Sequence, residues 1–204
     1  MAPRADWPDS SGLPARRHGA QGGFMHVVVL FESLFGNTHE VAEAIADGVR
    51  TADPAAEVAC VRVPEADMGM VEAADLLVVG GPTHMRGMTS GMSRRMGMAA
   101  EDKKDEADRH ETEPGAEGPG VRDWFAGLPK AGKGSKAAAF DTRAEARLAG
   151  GAAHGIARRL RRHGYELVAE PEGFIIEDTE GPLRAGESDR AKAWGADLLR
   201  KTAH

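Results

Sequence analysis

The chain has 204 residues and a net charge of −6, with 26 Lys and Arg against 32 Asp and Glu. Proteins that bind a nucleic-acid backbone usually carry a strongly basic face, so this balance argues against nucleic acid as the partner. Cys60 is the only cysteine, which excludes an intrachain disulfide and a metal site of paired thiolates. The sequence contains no run of about 18 apolar residues, and we predict a soluble, cytoplasmic protein with no membrane span and no bound metal.

The first 24 residues are rich in proline, glycine and arginine and contain no apolar run of the kind a secretory signal needs. We predict a disordered tail over residues 1–24 and one folded domain over residues 25–204. The arginine content leaves a transit peptide open, although Asp6 and Asp9 fit one poorly.

From Val27 onward, short apolar runs alternate with amphipathic segments. Strands are predicted at 27–31, 57–63, 76–79, 137–140 and 166–176, the last in two pieces around Pro171 and Gly173. Helices are predicted where apolar residues recur at helical spacing: Val41, Ile45 and Val49; Trp124, Phe125 and Leu128; Ile156 and Leu160, with a C-terminal cap at Gly164; and Ala191, Trp194 and Leu198.

This alternation predicts a parallel sheet with helices on both faces. Ligands of such sheets bind beyond the carboxyl ends of the strands, where the loops 32–38, 81–92 and 141–151 lie. A charged insertion at about 99–120 interrupts the pattern, and its first half fits an exposed polar helix and a solvated segment equally well. Five methionines between Met85 and Met98 fit an apolar lid over the ligand, with a soft-metal site as the alternative.

The loop after the first strand carries the chemistry. Residues Ser33 to Thr38 leave a buried strand and enter a helix, so unpaired N–H groups and a positive dipole end lie beside two hydroxyls and an amide. The loop contains no lysine or arginine. We therefore predict that it binds a phosphate monoester through neutral donors.

This loop resembles that of the flavodoxin family in its hydroxyl residue Ser33, its small residue Gly36, its Thr38, and Ala42 and Ile45 on the following helix. The resemblance implies a doubly wound α/β fold with a five-stranded parallel sheet of order 2-1-3-4-5, helices on both faces, and FMN as cofactor. By the same resemblance, the cofactor-binding residues lie in three segments: Ser33, Leu34, Phe35, Gly36, Asn37 and Thr38; Pro82, Thr83, His84, Met85, Arg86 and Gly87; and Asp141, Thr142 and Arg143.

Two departures from the family have consequences. Neither 81–92 nor 141–151 contains Phe, Tyr or Trp, whereas flavodoxins usually hold the flavin ring between aromatic side chains. We therefore expect weaker binding of FMN. Arg86 would place a cation near the ring if it points inward, and this would favour full reduction and two-electron chemistry.

The resemblance implies an FMN redox protein, either an electron carrier or a small FMN-dependent oxidoreductase of the NAD(P)H:quinone type. Its partner would be a redox protein or a small-molecule electron donor or acceptor. The alternative is a flavodoxin-fold binding module that has lost FMN, which the missing aromatics permit. The intact loop 33–38 argues against that alternative.

Overall fold

The computed structural model describes residues 24–84, 87–89, 91–101, 112–113, 116–145, 151–178 and 180–202. The predicted tail over residues 1–24 lies outside this part of the chain except for Phe24. Residues 102–111, the centre of the charged insertion, also lie outside it. The division into tail and domain stays a prediction.

The described residues form an alternation of strands and helices. The strands are β1 (His26–Phe31), β2 (Glu57–Arg62), β3 (Leu76–His84), β4 (Gly87–Met88), β5 (Lys136–Ala144), β6 (Glu166–Leu167) and β7 (Glu172–Ile176). The α-helices are α1 (Asn37–Ala52), α2 (Met68–Ala73), α3 (Gly91–Glu101), α4 (Val121–Gly127), α5 (Ala152–Arg162) and α6 (Glu187–Thr202).

The strands build one parallel sheet in the order β2-β1-β3-β5, and β6 and β7 follow one after the other along the free edge of β5. β6 pairs with the beginning of β5 and β7 with its end. They are the two pieces predicted for the fifth strand, so the doubly wound fold and the order 2-1-3-4-5 are confirmed. The short β4 pairs antiparallel with β3 and brings the described strands to seven rather than five.

Strand ends, not strand positions, were the main error of prediction. β3 does not stop before Gly80 but continues to His84, because the end of β5 extends with it and pairs Gly80 with Phe140 and Pro82 with Thr142. Proline has no backbone N–H and is tolerated where no neighbouring strand needs one. β1 ends beside Gly80, so Pro82 meets this condition on the β1 side of β3. The segments expected as loops at 82–84 and 141–143 are therefore strand ends.

The sheet is buried on both faces. α1 and α6 cover one face over a core of side chains from β1, β3, β5 and β7 that includes Phe31, Phe140 and Phe174. α2, α4 and α5 border the other core, where Trp124, Phe125, Ile156 and Leu160 pack. The short helix α2 was not predicted, whereas the helices now labelled α1, α4, α5 and α6 lie where their apolar spacing placed them.

None of the helices in the described part of the chain is both long and apolar enough to cross a membrane.

Candidate functional site

A tight turn leads from β1 into α1. Gly36 precedes the helix with φ of 89°, in the left-handed region that favours glycine. Its N–H donates to Ser33 Oγ over 3.1 Å, so the Ser33 hydroxyl holds the turn closed. Gly36 has no side chain with which to cap α1, and the first N–H groups of the helix are the donors that a phosphate would use. Asn37 fixes the other side of the turn by donating from Nδ2 to the carbonyl oxygen of Glu180 over 2.7 Å.

The strongest convergence of predicted site residues is a pair of threonines. Thr38 Oγ1 lies 2.7 Å from Thr142 Oγ1, and the two side chains are only 2% and 3% exposed. One of the two hydroxyls donates to the other, and the accepting hydroxyl keeps its own proton. The pair therefore offers one O–H proton at the amino end of α1. Thr142, which the resemblance assigned to the third segment, lies beside the loop 33–38, which we call the phosphate loop because a phosphate is predicted to bind there.

The second segment forms a hairpin at the carboxyl edge of the sheet. Thr83 pairs with Met88 and His84 with Gly87 across the β3–β4 hairpin. Pro82, Thr83 and His84 are half-buried at the end of β3, and Gly87 opens β4. Met85 and Arg86 lie outside the described residues, so their assignment to the cofactor site, and the effect expected of Arg86 if it points inward, stay predictions.

Asp141 links this hairpin to the third segment. Its fully buried carboxylate accepts at Oδ2 from Thr83 Oγ1 and from the backbone N–H of Ala153, both over 2.9 Å. Thr83 Oγ1 in turn accepts from the N–H of Ala152 over 2.8 Å. Burial raises the pKa of Asp141, although the Ala153 N–H, Arg143 and the Thr83 hydroxyl act in the opposite direction. The carboxylate thus joins the hairpin to the amino end of α5.

Arg143 supplies a cation at the same edge. Its Nε lies 3.6 Å from Asp141 Oδ1, and its side chain is 16% exposed. The guanidinium group occupies the space that a side chain at Gly173 or Gly151 would need. The structure therefore fixes this cation against β7 and the start of α5. Contact of Asp141, Thr142 or Arg143 with the flavin remains a prediction.

A buried carboxylate that sequence reasoning missed lies directly before the phosphate loop. Glu32 is 7% exposed, and its Oε1 accepts from the hydroxyl of Thr89, which follows β4. Its Oε2 accepts from the N–H of Val121, the first residue of α4, over 2.9 Å. An acidic residue immediately after a five-residue apolar run was the signal available in the sequence. Glu32 connects β1 to both ends of the segment that runs from the hairpin to α4.

A second missed residue lies in the charged insertion. The N–H of Glu113 donates to the carbonyl oxygen of Leu34 over 2.9 Å, and its carboxylate pairs with Arg62 and, over 3.1 Å, with His39 Nδ1. The His39 ring stacks on Phe31 at 4.9 Å between centroids. Partial burial acts to raise the pKa of Glu113, but the hydrogen bonds from Arg62 and His39 outweigh it and hold that pKa below its usual value. On the side of β2, the phosphate loop is therefore covered by Glu113 and its partners Arg62 and His39.

The methionine-rich segment divides between core and surface. Met88 is buried beside Gly155, whereas Met92 and Met96 lie exposed on α3, four residues apart. Met85 falls outside the described residues. Across the part of the chain that is described, His, Cys, Asp and Glu side chains nowhere gather in threes as metal ligands would. The choice between a lid and a soft-metal site stays open.

The flavodoxin family model matches residues 29–135, which is more than half of the chain. The match spans the phosphate loop, the hairpin and the Glu113 segment. No curated protein has a sequence significantly similar to this chain.

Solved structures share the fold at low sequence identity. A flavodoxin from the domain Archaea is 20% identical with a TM-score of 0.58, over 88% of this chain and all of that one. Oxidised flavodoxin 1 from Bacillus cereus is 19% identical with a TM-score of 0.58, over 86% of this chain and 97% of that one. The flavodiiron core of Flv1 from Synechocystis sp. PCC6803 is 15% identical with a TM-score of 0.56, over 88% of this chain and 36% of that one. At these identities the likeness concerns the fold alone.

Proposed function

Because this chain belongs to the flavodoxin family, whose cofactor is FMN, we propose that it is a single-domain electron carrier that exchanges electrons with another redox protein. The observation that carries the proposal is the Thr38–Thr142 pair at the amino end of α1. Two buried hydroxyls on separate elements, with one proton left to donate, suit a phosphate ester that enters from the carboxyl edge of the sheet. A binding module without FMN would gain little from them.

The residues around this pair fit the phosphate end of FMN. The N–H groups at the start of α1 and the spare threonine proton are neutral donors, and the turn at Gly36 has no side chain to obstruct an anion. Arg62, which contacts His39 and pairs with Glu113, is the cation on the β2 side. The site therefore suits a monoester and lacks the lysine of a nucleoside-triphosphate loop.

The flavin end depends on the hairpin and the start of α5. FMN, when bound, supplies one- and two-electron transfer. Asp141 holds Thr83 and the N–H groups of Ala152 and Ala153 in one network, which fixes the hairpin relative to α5. This network positions the backbone around His84 and Gly87 without any aromatic side chain. The arrangement supports a ring edge that faces a partner rather than a ring packed inside the protein.

A small oxidoreductase of the NAD(P)H:quinone type is the second candidate. Arg143 favours it, because a cation near a flavin stabilises the negative charge that full reduction creates. The buried carboxylate of Asp141, 3.6 Å away, offsets part of that effect. We therefore rank the electron carrier first.

Two measurements test the proposal on the full chain. FMN added to the apoprotein should lose its fluorescence with one-to-one stoichiometry, and the holoprotein should be yellow. Steady-state assays with NADH or NADPH and a quinone should then give negligible turnover in the absence of a reductase. Rapid turnover would favour the oxidoreductase, and a colourless protein that leaves FMN fluorescence unchanged would favour the binding module.

A further inference from the structure

Glu113 lies against the phosphate loop although it comes from the crossover between β3 and β5. Its N–H binds the Leu34 carbonyl oxygen over 2.9 Å, and its own carbonyl oxygen accepts from the N–H of Ala116 over 3.1 Å. Ala116 is buried, so the turn is packed onto the domain. The carboxylate is thus held by backbone contacts on the same loop that would bind the phosphate.

This placement brings a negative charge to the site of another anion. Glu113 Oε1 is 3.6 Å from the position that a Cβ atom on Gly36 would take. Gly36 immediately precedes α1, whose amino end attracts anions through its N–H groups and dipole. A carboxylate beside this turn repels a phosphate that binds the N–H groups of α1, and solvent screens this repulsion only partly because Glu113 is 17% exposed.

Two cationic or ionisable groups face Glu113 and offset its charge. Arg62, at the end of β2, pairs with Oε2 and lies 5.6 Å from the centroid of the Phe31 ring. His39, in the first turn of α1, contacts Oε1 and also lies 3.8 Å from Glu43 on the next turn. Removing Glu113 would leave Arg62 as an uncompensated cation near the phosphate. Removing Arg62 would leave an uncompensated anion.

From this geometry we infer that Arg62 and Glu113 together set how strongly the site prefers FMN to riboflavin, which lacks the phosphate. Arg62 strengthens the preference and Glu113 weakens it, and neither belongs to the segments 82–87 and 141–143 that are predicted to contact the flavin. The inference rests on the proposed binding of FMN. It assigns a specificity role to a residue in the charged insertion and to one on the strand β2, both outside the loop.

The test compares the dissociation constants of FMN and riboflavin by calorimetry for the full-length apoprotein and its variants. Glu113→Gln should bind FMN at least fivefold more tightly, and Arg62→Gln at least fivefold more weakly, with riboflavin changed less than twofold in both. Arg62→Lys, which retains the charge, should stay close to the wild type. Both shifts should shrink as salt rises, because the groups are partly exposed.

Glu117→Gln is the matched control, since Glu117 is an exposed carboxylate four residues from Glu113. It should leave the ratio of the two dissociation constants unchanged. If both pair variants weaken FMN and riboflavin alike, the pair merely supports the loop and the inference is wrong. If the wild type binds neither flavin, the proposed function fails and the inference fails with it. If the wild type binds FMN but the ratio of the two dissociation constants is the same in the Glu113 and Arg62 variants, only the inference is refuted.

Discussion

Replacing Thr38 with Val tests the phosphate site most directly. Thr38 is 2% exposed, and its hydroxyl lies 2.7 Å from that of Thr142. Valine keeps the shape of threonine but removes the hydroxyl, so the phosphate loses a donor and Thr142 loses its partner. A hydrogen bond to a charged group contributes about 1.5–3 kcal/mol, so its loss should raise the dissociation constant of FMN by roughly ten- to hundredfold.

Calorimetric titration of wild type and Thr38→Val with FMN and with riboflavin would measure this effect. Riboflavin should bind both proteins equally, because it has no phosphate to lose the bond. Thr142→Val should weaken FMN binding less, because Thr38 lies in the first turn of α1 and its hydroxyl remains there to donate to the phosphate. An unchanged ratio of FMN to riboflavin affinity in Thr38→Val would refute the assignment of this pair to the phosphate, whatever the effect on stability.

Three further substitutions follow from the contacts of the site. Glu32→Ala should lower the free energy of unfolding by about 2–3 kcal/mol, because it leaves buried donors at Thr89 and Val121 without an acceptor. Glu32→Gln should lower it less, and equal denaturation midpoints for the wild type and both variants would contradict this role of Glu32. Gly80→Ala would place a Cβ atom 2.0 Å from the Phe140 ring and should destabilise the protein by about 1–3 kcal/mol. The Cβ atom of Gly127→Ala meets nothing within 4 Å, so this control should leave the stability unchanged. Equal melting temperatures of the two variants would show that the strands move apart to accommodate the added atom. Because the pKa of Asp141 is raised in the folded state, the folded protein holds its proton more tightly, and this group contributes stability below its unfolded pKa that is lost as pH rises toward the folded pKa. Urea titrations from pH 4 upward should show that slope in the wild type and less of it in Asp141→Asn, and parallel curves would exclude Asp141 as its source.

The fold could be predicted because its signals are local. Runs such as residues 27–31 are apolar without interruption, as strands buried on both faces must be, and the helices repeat apolar residues every three or four positions. Of the two residues expected to divide the last strand, Pro171 lies between β6 and β7, whereas Gly173 lies within β7 and pairs with Asp141. The hydrophobic pattern does not show where a strand ends. β3 continues through Gly80, Gly81 and Pro82 only because β5 pairs with it.

The site was predictable to the extent that it is contiguous. The turn from Ser33 to Thr38 is contained in one segment, but the partner of Thr38 is 104 residues away, and only the parallel pairing of β3 with β5 brings Thr142 to it. Glu113 was misread for the same reason. Its neighbours are charged and polar, so composition indicates a solvated insertion, whereas its actual contacts are with Leu34, His39 and Arg62.

The contacts of Glu32 and Glu113 imply a particular division of binding energy in this site. The segment from the hairpin to α4 is attached at Thr89, at Glu113 and at Val121, and all three attachments lead to β1 or to the loop that follows it. The loop is therefore held in shape by protein groups alone, which lowers the conformational entropy that phosphate binding must overcome. The described hairpin and strand ends offer no such fixed aromatic surface to the ring. Affinity for FMN should consequently depend mainly on contacts with the phosphate. For that reason the charges of Arg62 and Glu113 should change this affinity more than they would in a site where stacking of the ring dominates.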